Sequence, residues 1–349
     1  MLQVNPLTHK GWDDFVLAHP SGNVFHSSGW LKSLQATYGY TPVAMTTSPC
    51  TDRLDSAVVL CDIRGWLTGR RLVSLPFSDH CDVLAGSPEH TEHLLRELEH
   101  HVADEHRWRY VEVRPQAVTP GNDLSSSAWQ PSETFCFHVL SLENSAEEIF
   151  RKLHKTSMQQ TILRAQREDL QYEEGRSEAL LQKFYSLLVR TRRRQGLPPQ
   201  PLNWFRNLAS CLGECFTIRI ASKDLRPMAG IVTLQFKDTM TYKYGCSDER
   251  FNRLGGTPFL LWKAIEQAKA LDMKSFDLGR TAMDNQGLIT FKDRMGAVRT
   301  TMTYLRHSSR PAKTAAKPSW TAALTKDLFS RMPDTALIAV GRLLYKEIG

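Results

Sequence analysis

Lys292 stands where an ammonium could do chemistry, in a stretch that runs from Phe276 to Ala297 as FDLGRTAMDNQGLITFKDRMGA. Among glycines, and read as a strand-like turn, a fixed cation could hold a phosphate or steady an oxyanion as it forms. In the same stretch Asp277 could accept a proton from an attacking amine, and Arg280 suits a phosphate or carboxylate. Some thirty-five residues upstream, Arg253, Gly255, Gly256 and Thr257 lead into a helix-like run. Glycines there let backbone amides approach an anion, Thr257 can cap, and the helix dipole would point at the ligand. Lys155, Arg164 and Arg167 belong to a basic helix region, the last two spaced to share a face that could clamp a polyphosphate. Tyr244 could protonate a leaving group or position an amine. Simple alternation would send Tyr242 and Tyr244 to one face of their strand and Lys243 to the other.

Two other constellations argue against themselves. The histidine-rich helix with His90, His93, His100, His101 and His106 lacks an HExxH pattern or a nearby cysteine partner, so it predicts no metal site. His80, Cys81 and Asp82 are consecutive, and neighbours in sequence rarely supply the geometry of a nucleophile and its base.

The elements that must carry these residues alternate between helix and strand. Helical spacing covers Trp12 to Ala18, Trp30 to Tyr38 and Ser87 to Arg107, with short apolar strands at Pro42 to Thr46, Ser56 to Asp62, Arg71 to Pro76 and Tyr110 to Arg114. From Phe135 the pattern starts again: a strand to Leu140, a helix opened by Ser145 with Glu148 at capping-box spacing, a basic helix from Ser157 to Asp169, and a strand from Leu170. Helices at Ser177 to Arg194 and Leu202 to Leu212 precede strands at Phe216 to Ser222, Met228 to Phe236 and Thr239 to Cys246. This restart predicts an α/β (α+β) fold of two units, 1–135 and 136–307, each a mixed sheet flanked by helices. The rest, 308–349, reads as a linker followed by an amphipathic tail whose Leu337, Ile338, Val340, Leu343, Leu344 and Ile348 cluster on one side. That tail is expected to pack on the body, or to touch a membrane surface peripherally.

Composition narrows the function classes. With 349 residues and 41% hydrophobic content, the chain can fill two cores, and it has no apolar run long enough to cross a bilayer. Seven cysteines without a CxxC pair fit reduced thiols, and an N-terminus without a basic start or apolar stretch fits a cytoplasmic protein, at most peripheral at the inner membrane face. The net charge of +7 is uneven, since residues 151–194 carry eleven Lys/Arg against five acids. Such a patch suits phosphate-bearing partners such as coenzyme A, tRNA or lipid-linked sugars.

The motif Phe276-Asp277-Leu278-Gly279, followed by Gly287-Leu288, Phe291-Lys292 and Gly296, resembles the Fem-type peptidyltransferases and the BioF2-like and CelD-like acetyltransferases of the GNAT superfamily. The opening FHSSGWLKSLQATYGYTP and the strand and loop RLVSLPFSD resemble them too, so the likeness runs from about residue 20 to 307. The resemblance implies two tandem GNAT-like domains around a cleft, with Phe291-Lys292 beside the donor and Tyr244 near the acceptor. It implies an N-acyltransferase with no tightly bound cofactor. The donor would be acyl-CoA, attacked directly by the amine, and the acceptor an amino sugar or peptide-bearing glycan, lipid-linked or free, of the cell envelope or an exopolysaccharide; DNA is not an expected partner. Two alternatives stay open: a Fem-type peptidyltransferase using aminoacyl-tRNA, and a non-catalytic binding component of a polysaccharide-synthesis complex. Larger Fem members insert a long helical hairpin associated with tRNA, which this chain lacks. Lys292→Ala is expected to abolish most transfer at little cost in stability.

Overall fold

The computed structural model describes residues 1–49, 53–66, 69–105, 107–116, 128–308 and 326–348. The chain gathers into two compact units: Met1–Phe135 with Thr301–Ala315 and Leu343–Gly349, and Cys136–Thr300 with Ala316–Arg342.

In the first unit, β1 (Leu2–Val4), β2 (Thr41–Thr46), β3 (Val58–Gly65) and β4 (Gly69–Val73) pair antiparallel in that order. β4 then pairs parallel with β5 (Val111–Val113), and β5 antiparallel with the distant β12 (Val298–His307). The first half of β6 (Gln130–Ser141) lies along β12, where the Thr134 and Thr303 hydroxyls are 3.3 Å apart. Alternation explains the layers. Val43, Met45, Val58, Leu60 and Leu72 point to one face and pack on Leu94, Leu95, Leu98 and Val102 of helix α3 (Pro88–Glu105). α1 (Trp12–Ala18) and α2 (Ser28–Tyr38) precede β2, and the Ser27 hydroxyl caps α2 by accepting from Trp30 N at 3.3 Å.

In the second unit the order is β6, β11 (Ser275–Ala282), β10 (Thr239–Ser247), β9 (Arg226–Phe236), β8 (Phe216–Lys223) and β7 (Gln171–Gly175). β10 and β11 run parallel and the others from β10 to β7 antiparallel, so this sheet is also mixed. α4 (Ala146–Lys152) opens with a complete capping box between Ser145 and Glu148. After it come α5 (Gln160–Arg167), α6 (Glu178–Arg194), capped by Ser177, and α7 (Leu202–Leu212). α8 (Gly256–Ala270) follows β10, and its Phe259, Leu260, Leu261, Ala264 and Ile265 share a core with Ile162 of α5 and Ile231 of β9. The fold is therefore mixed sheets flanked by helices.

One expectation changes here, and the tail follows the first of its two expected readings. The stretch after Asn285 is a helix, α9 (Gln286–Arg294), capped by the Asn285 side chain accepting from Leu288 N at 3.2 Å. The C-terminal helix α10 (Asp334–Ile348) is packed on the body. In the second unit Gly341 lies so close to the Pro199 carbonyl that no Cβ would fit. In the first, Tyr40 Oη donates to Tyr345 O at 2.8 Å and the fully buried Arg71 donates to Glu347 O at 2.5 Å, so two side chains cap the helix's last turn. Leu343, expected on the apolar side, is exposed. Residues 309–325, with most of the expected linker and Trp320, lie outside the described residues, as does His106.

Candidate active site

β10 and β11 pair over only three positions, Thr239–Thr241 against Ser275–Asp277, although the strands are nine and eight residues long. Two irregularities begin where the pairing stops. β10 has a bulge between Tyr242 and Tyr244, and β11 turns at Gly279, whose φ of +73° is left-handed and suits glycine. The ladder between the two strands is thus confined to one end.

Three residues flagged in the sequence meet at the Gly279 turn. Asp277 Oδ1 accepts from Gly279 N at 2.6 Å. Lys292 reaches back from α9 and donates to Gly279 O at 2.9 Å and Arg280 O at 3.1 Å. Lys292 is therefore neither at a strand end nor solvated: it is 2% exposed and grips two carbonyls of a bent strand. Asp277 is equally buried and holds the amide side of the same glycine. Arg280 is half-buried, and Phe291 packs against the core beside α8.

The bulge reassigns the tyrosines. Thr233 of β9 lies opposite Tyr242, and Val232 opposite Tyr244. Thr233 faces α8, because the buried Arg219 bonds both its hydroxyl and Gln267 of that helix. Tyr242 packs into the same core. Tyr244 points the other way, where its hydroxyl accepts from Trp204 Nε1 at 2.8 Å and Gln200 Nε2 at 3.3 Å and its ring meets Phe205 of α7 edge-on. One extra residue, Lys243, puts the two tyrosines on opposite faces, contrary to alternation. Burial pushes the Tyr242 phenol up.

At the head of α8 the geometry differs from an open cradle. Gly255 (φ +74°) and Gly256 are both buried. A Cβ on Gly255 would overlap Thr161 of α5, and one on Gly256 would stand 2.9 Å from the Ala229 side chain. Close packing of the chain on itself accounts for both glycines, while Arg253 is exposed and Thr257 half-buried. Lys155, in a π-helical turn before α5, and Arg164 and Arg167 on α5 are exposed.

Sequence reasoning missed a further pair beside Lys292. His138 of β6, wholly buried, places Nε2 3.2 Å from Asp293 Oδ1, and Arg299 approaches Asp293 Oδ2 at 3.7 Å. Burial pulls the His138 pKa down despite the Asp293 hydrogen bond, and the charge of Lys292 pulls it further. A single polar residue in the apolar run Phe135 to Leu140 was the available signal.

The consecutive His80, Cys81 and Asp82 do not assemble a nucleophile. In the first unit Cys81 Sγ lies 3.2 Å from His26 Nε2, buried, and burial pushes the thiol up. Among the described residues no three His, Cys, Asp or Glu side chains converge as a metal site.

Comparison with known proteins bears on the fold. Residues 152–293 match the acetyltransferase (GNAT) domain family. No curated protein sequence matches the chain. Among solved structures, FemX superposes with a TM-score of 0.68 at 12% identity, covering 88% of this chain and 97% of FemX. L-PGS from Bacillus licheniformis gives 0.55 at 11% identity (91% and 95% covered), and a tandem GNAT protein from the clavulanic acid biosynthesis pathway gives 0.54 at 9% identity (89% and 99% covered). Residues 152–293 thus match a GNAT acetyltransferase domain, and the chain shares its fold with FemX and with the tandem GNAT protein.

Proposed function

We propose that the protein moves an acyl group from acyl-CoA to an amino group of a cell-envelope or exopolysaccharide precursor. The observation that carries this reading is the parting of β10 from β11 beyond Thr241 and Asp277. Strands that leave a ladder expose main-chain N–H and C=O groups, and an extended, amide-bearing arm such as pantetheine can pair with them as a strand would. The donor's phosphates would rest near Arg253, Thr257 and the first-turn amides of α8, outside the closed glycines. At the reacting end the amine nitrogen attacks the thioester carbon, and the C–N bond forms as the C–S bond breaks. Lys292, held by the Gly279 and Arg280 carbonyls, would set its ammonium charge beside the developing oxyanion. Tyr244 gives a proton to the leaving sulfur and regains one from the amine. Asp277 fixes the Gly279 turn that aims Lys292, and Arg280 and Phe291 border the substrate.

One observation favours a second donor. Thr161 closes over Gly255, and the exposed cations of the adjoining segment, Lys152, Lys155, Arg164 and Arg167, form a surface suited to the phosphates of an aminoacyl-tRNA. Mass spectrometry of ligands retained by the purified protein, then turnover with acetyl-CoA or charged tRNA on amino-sugar and glycopeptide acceptors, separates the two. Acetyl-CoA turnover supports the leading reading; salt-sensitive tRNA binding with peptide-bond formation supports the second. Turnover with neither would overturn both in favour of a binding component.

A further inference from the structure

In the first unit, the hairpin of β3 and β4 ends in residues that a plain turn would not select. Its last pair is Gly65 with Gly69, and Trp66, just beyond, is 83% exposed, as open as any large apolar side chain among the described residues. Turns favour small polar residues, whereas a bare indole leaves a large apolar area in water. One step back along the ladder, Arg64 lies directly opposite Arg70, and like charges so placed weaken a hairpin. Arg109 joins them: its N–H donates to Arg70 O at 2.8 Å, and its Cδ lies 4.0 Å from where a Cβ on Gly69 would stand. The guanidiniums of Arg70 and Arg107 sit over the ring of the buried Trp108, 5.5 and 4.1 Å from its centroid. Asp62 holds Arg70 and Glu105 holds Arg107, while Arg64 and Arg109 are exposed. Packing accounts for neither the open tryptophan nor the opposed arginines.

We infer that this tip docks on a membrane surface rich in anionic phospholipid, with Trp66 seated at the headgroup level and the arginines behind it meeting lipid phosphates. The order of the groups favours a bilayer over a nucleic acid. A bilayer offers a protruding indole an interface that suits it, beside a sheet of phosphates; a single-stranded nucleic acid needs stacking rings set within a cationic groove, and here the ring lies ahead of the cations. Docking does not depend on acyl transfer, so it is read as binding with no donor present. The full chain is sedimented with vesicles of phosphatidylcholine alone and of equal parts phosphatidylcholine and phosphatidylglycerol. Wild type should bind only the anionic vesicles, and less as salt rises. Trp66→Ala should weaken that binding roughly tenfold at an unchanged melting temperature, with Trp66→Phe in between. Arg64→Gln/Arg109→Gln should weaken it roughly twentyfold and flatten its salt dependence, each cation near such a surface counting for about fivefold. Arg164→Gln/Arg167→Gln, the same loss of charge on α5, should bind near wild type. The inference is overturned if wild type ignores anionic vesicles, if Trp66→Ala binds them as wild type does, or if the α5 variant loses as much as the hairpin variant. It is also overturned if Trp66→Ala loses binding to charged tRNA while its vesicle binding stays intact, since the tip would then serve a nucleic acid.

Discussion

Lys292 shows how burial changes a residue-scale argument. As a solvated cation it would be removable at no cost; as a buried donor to Gly279 and Arg280 it leaves two carbonyls unpaired when truncated. Lys292→Ala should therefore lose about 1–3 kcal/mol of stability, visible as a lower urea midpoint, besides at least a hundredfold in rate. Lys292→Met separates the two effects, restoring most of the packing while leaving the rate low; full activity in Lys292→Met would remove the ammonium from the mechanism. Lys292→Arg should be poorly active, because a larger planar head does not fit a site closed to solvent. Acid should act elsewhere. Burial lowers the His26 pKa from 6.5 to about 4, in spite of the Asp82 carbonyl it bonds. Between those values the unfolded chain binds the proton and the folded chain does not, so stability falls as pH drops from about 6.5 to about 4. The loss is of order 3 kcal/mol. His26→Gln should flatten that slope in pH-dependent denaturation; an unchanged slope would assign the acid sensitivity to other groups. Neither burial was legible in sequence, because exposure depends on what other segments place over a residue.

At the scale of elements, what is local was readable. Ser145 with Glu148 signalled a helix start, and the two form a capping box in the structure. α7 begins and ends where its spacing indicated, at Leu202 and Leu212. α9 was misread because Gly287 and Gly296 bracket it like turn residues; Asn285 as cap and the spacing of Ile289 and Lys292 are what make it a helix. The β10 bulge had one faint sign. Gly245 lacks the side chain that the Tyr242 hydroxyl would strike, and an isolated strand glycine often marks a bulge. α10 supplies the prediction at this level. Its last turn is capped by Tyr40 and Arg71, so removing residues 343–349 should destabilise the first unit by several kcal/mol, through a buried guanidinium left without its carbonyl. Anionic-liposome binding should not change. An unchanged melting temperature together with lost liposome binding would make the helix a membrane contact instead.

For the whole molecule, alternation of helix and strand was enough to give the fold class, since each sheet needs helices to cover its faces. The partner of β12 was not legible. Nothing in Val298 to His307 marks it for pairing with β5, because strand patterning sets which face is buried and not which neighbour is met.

That pairing decides when the protein can finish folding. The first unit draws on Met1–Phe135, but also on Thr301–Ala315 and Leu343–Gly349. A ribosome that has made every residue of α1 to α3 has not yet made the strand that pairs with β5, nor the helix end that receives Arg71. The N-terminal half must wait with an open β5 edge, a state prone to mispairing, while the second unit has its strands from β7 to β11 in the single stretch Cys136–Thr300 and lacks only Ala316–Arg342, so it can settle first. Arrested nascent chains should show this reversal of the usual vectorial order: protease resistance appearing first in peptides from 136–300, and in peptides from 1–135 only after release of the full chain.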